Sequence, residues 1–324
     1  ASNTDGTITS TVKANPKAGF SIVKWTGTGV NGKTIGHGLN GAPEIIITKG
    51  LSNATSWVTG IGGVSGFAVN DYLTWANSTN YAKGNSSTFY QAYSTDTFQV
   101  GVSAANEMNK SASNDYISYC FKSISGYQKI GTYTGNSSTS NIVETGFKPA
   151  WILIKNPNTT DGFYILDDKR KNGTFTNVLY PNLNNAEQTS TGGNGEYSVN
   201  FLENGFELTE ITAGYNQSNN TYLYLAIAGD PDETDPTVEN SFSTILWSGT
   251  GSARSVTGLG FKPDLIWWKA RNASNYNWKA VDSINGPTKN LYLNLTNNLA
   301  SDVATTSFDD DGFTFGSGNN GNVS

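Results

Sequence analysis

The sequence predicts an all-β protein built from three tandem antiparallel, jelly-roll-like β-sandwich modules. Three observations carry that reading: a motif set that occurs three times, short runs of β-branched and aromatic residues, and Asn-Gly pairs between those runs. The first copy of the motif runs Lys24-Trp25-Thr26-Gly27-Thr28-Gly29 and then, through His37 and Pro43, to Lys49. The second runs Thr132-Tyr133-Thr134-Gly135-Asn136 and then, through Pro149, to Lys155. The third runs Leu246-Trp247-Ser248-Gly249-Thr250-Gly251 and then, through Pro263, to Lys269. Pro43 and Pro149 lie 106 residues apart, and Pro149 and Pro263 lie 114 apart. Solenoid repeats recur every ~20–50 residues, so this spacing marks whole domains.

Each element follows from local chemistry. Residues 45–48, 151–155, 163–166, 222–228 and 265–269 combine β-branched and aromatic types in strand-length runs. Asn-Gly pairs at 31–32, 40–41, 172–173, 194–195, 204–205, 285–286 and 320–321 supply the positive φ of tight turns. Pro149 and Pro263 follow Lys148 and Lys262 and precede apolar runs; a proline fixes its own φ and biases its predecessor towards extended backbone, so it sets the start of a strand. Eight or nine residues past each motif lysine comes an aromatic, Trp57, Phe163 or Trp278, read as shared core packing. Further on, Phe98-Gln99-Val100, Gly205-Phe206-Glu207-Leu208 and Gly312-Phe313-Thr314-Phe315 align. The modules then span 18–124, 125–229 and 241–324, with a connecting segment at 1–17 and an acidic, proline-containing linker at 230–240. Trp151, Trp267 and residues 45–47 are expected to be buried, because their segments are apolar at successive positions.

Composition excludes several functions. With 20 Lys and Arg against 26 Asp and Glu, the net charge is −6, the wrong sign for a generic nucleic-acid binder. Only 14% of residues are charged, against roughly 25% in ordinary domains, and 36 glycines help to fill the gap. A single cysteine, Cys120, permits no internal disulfide, and one histidine, His37, permits no Cys/His zinc site. No apolar run approaches the ~18 residues of a membrane span, so no membrane insertion is expected.

Candidate chemistry is sparse. A nucleophilic triad would have to use His37, whose Gly-rich context reads as a surface turn. Cys120 reads as a buried small hydrophobe in a strand. The carboxylate groups Asp167-Asp168, Asp309-Asp310-Asp311 and Asp232-Glu233 do not recur as a pair in all copies, as a shared glycosidase site would need. Solvated turns explain Asp309–Asp311 and a linker explains Asp230, Asp232 and Asp235, with calcium binding as the alternative for both. Gly27-Thr28-Gly29 and Gly249-Thr250-Gly251 lack the lysine and helix of a phosphate loop. Asn-x-Ser/Thr triplets abound, for example at Asn53, Asn77, Asn85, Asn136, Asn158, Asn272 and Asn294, and composition alone can produce many of them. No catalytic residue, cofactor or metal is assigned.

Residues 4–29, 256–269, 309–316 and 116–121 together resemble bacteriophage virion proteins that carry an uncharacterised repeat of about a hundred residues, of the tail and tail-fibre type. The resemblance implies a non-enzymatic protein of the virion surface, with host attachment as its role. It implies partners among its own copies, other virion proteins and host surface glycans; a structural virion module or a bacterial adhesin is the alternative. Exposed aromatics in neutral loops would serve sugar binding by stacking.

The third copy raises one further expectation. Modules one and two close with strands at 116–121 and 222–228, and the 114-residue offset puts a third near position 336. A sandwich lacking that strand would expose apolar side chains and unpaired backbone. Either the polypeptide continues, which is the preferred expectation, or another chain donates a strand, for which 7–12 has the composition.

Overall fold

Alternating apolar runs broken by glycine turns leave the chain one way to satisfy its backbone groups, in antiparallel ladders, and every named strand pair is antiparallel. The computed structural model describes residues 1–76, 79–80, 82–189, 197–212, 214–229, 241–302 and 304–317. No helix occurs among them; the fold is all-β.

Apart from the two-stranded sheet of Lys171–Asn172 and Phe175–Thr176, the named strands form three layered pairs of sheets. In the first, a large sheet carries the order Phe20–Thr26, Asp115–Phe121, Ile45–Gly50, Trp57–Gly60, Asp71–Ala76. A small sheet of Tyr90–Tyr93, Thr97–Val100 and Lys33–Gly36 covers one of its faces, with Trp25, Ile46, Val58, Phe98 and Val100 in the core between them. The second pair has the order Gln128–Thr134, Thr221–Ala228, Pro149–Lys155, Phe163–Asp167, covered by Asn141–Glu144, Gly205–Leu208 and Val199–Leu202. The third has Leu265–Trp268, Lys279–Asp282, Lys289–Tyr292 and Ala300–Ser301, covered by Arg254–Thr257, Gly312–Phe315 and Thr305–Asp309.

The registers coincide. Ile46, Ile152 and Ile266 each lie three residues past a buried proline and pair with Gly60, Leu166 and Val281. Cys120 lies opposite Ile46, and Ala226 lies opposite Ile152. These equivalences are compatible with three copies of one unit. Gly205 and Gly312 also correspond, and both are needed as glycine. A Cβ on them would sit 2.1 Å from the Val143 carbonyl oxygen and 1.9 Å from that of Val256.

Three expectations change. Residues 1–17 do more than connect: Ser2–Asn3 and Ser10–Asn15 extend the first large sheet, so the 7–12 segment is already engaged at home rather than free to be donated. Among the described residues the third pair lacks two strands seen in the others. Among the described residues no strand lies on the free side of Leu265–Trp268, and 242–249 is not a strand. Trp267 is half-buried beside that open side, and Trp151, which packs on Phe242 with ring centroids 5.9 Å apart, is half-buried too, while the neighbouring Trp268 is only 2% exposed. Trp268 points into the core of its own sheet pair, whereas Trp267 lies on the other face of the strand, beside its unpaired edge. Ile45, Ile46 and Ile47 are buried.

We expect Trp268→Ala to cost about 3–5 kcal/mol and Trp267→Ala about half as much. Urea unfolding of the two variants measures this; equal costs would contradict the assignment of faces.

Candidate functional site

The motif residues converge on a junction where the three large sheets turn their second faces towards one another. Successive residues of a strand face opposite ways, so Ile45 and Ile47 point away from the core that holds Ile46. They join Leu153, Leu223, Leu225, Trp57, Phe163 and Trp278 in one continuous apolar core that draws on all three pairs.

Two contacts recur around this junction. The Leu51 carbonyl accepts from the Leu299 amide at 3.0 Å, the Pro157 carbonyl from Lys83 at 2.6 Å, and the Arg271 carbonyl from Glu187 at 2.7 Å. All three acceptors lie eight residues past their prolines. The aromatics recur likewise. The Trp57 indole N–H donates to the Tyr292 carbonyl at 2.9 Å, and the Trp278 indole donates to the Tyr180 carbonyl at 2.8 Å. Phe163 has no donor and packs against Trp75 in a tilted pair with ring centroids 4.4 Å apart. Pair one thus contacts pair three, three contacts two, and two contacts one, a head-to-tail ring that closes after three steps.

Each motif lysine is buried at the rim of this junction, where an ammonium needs oxygen partners. Lys49 Nζ donates to the Gly50 carbonyl, Thr55 Oγ1 and the Thr296 carbonyl. Lys155 donates to the carbonyls of Thr159 and Asp161, and Lys269 to those of Ala270 and Ala273. Burial pushes Lys49 down to about 7, against a smaller opposing pull from Glu107, and Lys155 and Lys269 down to about 8. Sequence reasoning assigned these lysines no role. Their fixed distance from each proline was the available signal.

Polar links also cross the junction. Tyr119 Oη donates to Asp282 at 3.1 Å; burial raises that carboxyl group, and the amides of Ile284 and Asn285 pull it down. Arg170 pairs with Asp167 at 2.6 Å and with Glu187 at 3.2 Å, and Arg271 pairs with Glu187 at 3.1 Å.

The sequence-derived candidates do not come together. His37 is fully buried rather than a surface residue. The Leu39 amide donates to its Nδ1, so Nε2 carries the proton and faces the Ser94 carbonyl at 3.2 Å. Burial holds its pKa below the ordinary value. Cys120 is buried among apolar side chains, and its thiol is pushed up to about 12. Asp309 accepts from Ser307 and Thr314, and Asp311 from the amides of Gly258 and Gly260, so these carboxylates brace turns. Thr28 is pinned by the buried Asn109, and Asn136 by the buried Asn216, which makes the glycine-containing segments clamped loops. Of the triplet asparagines named above Asn294 is buried, and Asn77 lies outside the described residues. So do 230–240, with Asp230, Asp232 and Asp235.

Among the described residues no group of three His, Cys, Asp or Glu side chains is arranged to hold a metal ion, and no helix is long and apolar enough to cross a membrane. Every described Phe, Trp and Tyr is buried or half-buried, so the expected exposed stacking platform is absent from these residues. A cavity between pairs one and two, lined by Ile47, Trp75, Leu153 and Phe163, holds about 10 Å³, room for no more than one water.

The model of a domain of unknown function, DUF7483, matches residues 1–231 and 237–324. The chain belongs to the DUF7483 family. No curated protein and no solved structure matches it. The break in the DUF7483 match, 232–236, falls inside the acidic segment expected to be a linker.

The three lysines set a pH dependence. The unfolded chain keeps their protons to about pH 10.4 while the folded chain sheds them near 7–8, so stability rises with pH over that window. Above about pH 10 the buried tyrosines reverse the trend, because folding raises their pKa. We expect the denaturation midpoint to climb between about pH 7 and 9.5, and Lys49→Met to flatten the climb. Below about pH 6.5, protonation of His37 in the unfolded chain should lower the midpoint.

Proposed function

We propose that this DUF7483 chain is a non-enzymatic component of a bacteriophage virion surface, of the tail-fibre or appendage type, serving host attachment. The observation that carries the reading is the closed ring at the junction: three sheet pairs are locked around one core by contacts used three times. A body held this way has no hinge between its parts and suits rigid display of surface loops. The resemblance of residues 4–29, 256–269 and 309–316 to virion proteins supports the setting. Neutral, Asn- and Thr-rich loops offer hydrogen bonds to a host glycan, and the net charge of −6 gives nucleic acid no general attraction.

A purely structural role in the virion is the second reading. It is favoured by the aromatics, which are spent inside the fold and leave no stacking platform among the described residues. Three measurements test the proposal. Gold-labelled antibody against this chain should decorate intact particles in negative stain; unlabelled particles would contradict the virion assignment. A glycan array should then show selective binding for attachment and none for the structural role. Incubation with capsule, peptidoglycan or lipopolysaccharide should release no reducing ends; release would overturn the non-enzymatic reading.

A further inference from the structure

One position inside the third sheet pair carries a charge where its two counterparts carry none. Lys279 stands opposite Trp268 in the ladder, at the place held by Val58 in pair one and by Tyr164 in pair two. Its side chain is 5% exposed, and its Nζ lies 5.0 Å from the centroid of the Trp268 ring and 5.9 Å from that of Tyr292. There it meets the carboxylate of Asp302, whose side chain is 17% exposed. Two copies build the same ladder with uncharged residues at this place, and withdrawing two charges from water is costly.

The hydrogen bonds around the pair suit an amide better than an ammonium. An ammonium has three donors to place. Lys49 gives its three to three oxygens, whereas among the described residues Asp302 alone offers oxygen to Lys279. Asn290 stands on the same face of the sheet, between the two. It lies two residues from Tyr292, which pairs with Lys279, and opposite Ala300, two residues before Asp302. It is 1% exposed, and neither its Nδ2 nor its Oδ1 has a partner among the described residues. A buried side-chain amide with both ends idle calls for a neighbour with one acceptor and one donor, which is what a second amide offers. Asp302 is also held for reaction. Its own amide donates to the Thr288 carbonyl at 2.8 Å, and the Ala304 amide donates to its Oδ1 at 2.9 Å, which leaves Oδ2 towards the lysine.

We propose that Lys279 and Asp302 condense into an intramolecular amide that ties the strand Lys279–Asp282 to the far edge of its sheet. In this apolar setting the pair passes a proton from Nζ to Oδ2 and becomes a neutral amine beside a carboxylic acid. The amine lone pair attacks Cγ, and the charge that develops on Oδ1 is met by the Ala304 N–H. The Nζ–Cγ bond forms, the Cγ–Oδ2 bond breaks, and Oδ2 leaves as water with its own proton and one from Nζ. No oxidant or other reactant is consumed. Partners held in place react at effective molarities of about 10⁵–10⁸ M, far above the concentration of water that drives the reverse hydrolysis. The exposed side of Asp302 gives the released water its way out. Ala300–Ser301 pairs with its neighbour at two positions, so the bond staples the least supported strand of this sheet. The cross-link is independent of any role on a virion.

Mass spectrometry of the intact chain, unfolded after purification, tests this. The wild-type protein should weigh one water molecule less than its sequence. After trypsin, residues 272–289 should appear uncut at Lys279 and joined to the peptide that begins at Asn290. Lys279→Arg, which keeps the positive charge, and Asp302→Ala should each return the mass to the sequence value. A wild-type protein at its full sequence mass, with a free peptide ending at Lys279, would overturn the proposal and leave a buried ion pair. A water loss that persists in Lys279→Arg would place the dehydration elsewhere and overturn it as well.

Discussion

A β-sheet that is apolar on both faces has to be covered on both, and the large sheets of this protein are of that kind. Each small sheet covers one face. The other face carries Ile45, Ile47, Leu153, Leu223 and Leu225, each worth roughly 1.5–3 kcal/mol when buried rather than left in water. Among the described residues no element of the same sheet pair covers it. The three pairs therefore cover one another, and their second faces merge into a single core.

The repeated motif makes this arrangement with few instructions. The carbonyl eight residues past each proline and the aromatic a few residues further on both reach the neighbouring pair, so one short sequence pattern written three times builds three contacts. Contacts of this head-to-tail kind close only if the rotation fits, and here it closes after three. Polar groups at the rim are held in place by the backbone. A lysine ammonium has three donors, and Lys49 spends them on three oxygens, one of which, that of Thr296, belongs to a different sheet pair. The cost is a desolvated cation, which is why these side chains lean towards neutrality.

The strands were legible because period-two packing writes itself into β-branched and aromatic runs, and Pro43, Pro149 and Pro263 marked where they begin. The reading of Cys120 as a buried small residue in a strand matches its place in the ladder opposite Ile46. The junction was not legible. Apolar residues at successive positions announce that both faces are covered without saying by what, so Trp57 and Trp278 looked like ordinary core residues when their indoles in fact reach across to another sheet pair. His37 was misread because its glycine neighbours suggested a surface turn; the turn is folded under, with both ring nitrogens engaged. Trp267 is expected to be buried because its segment is apolar at successive positions, yet it is half-buried. Strand composition does not reveal whether a neighbour is present.

The shared core makes a thermodynamic claim, and calorimetry tests it most directly. Three sandwiches joined only by linkers would unfold independently, whereas three that share one core lose it together. Scanning calorimetry of the intact chain should give one transition with calorimetric and van't Hoff enthalpies in a ratio near one, to within about a tenth. Separate transitions, or a single broad one with a ratio approaching about three, would show that the sheet pairs fold as independent bodies and would contradict the account.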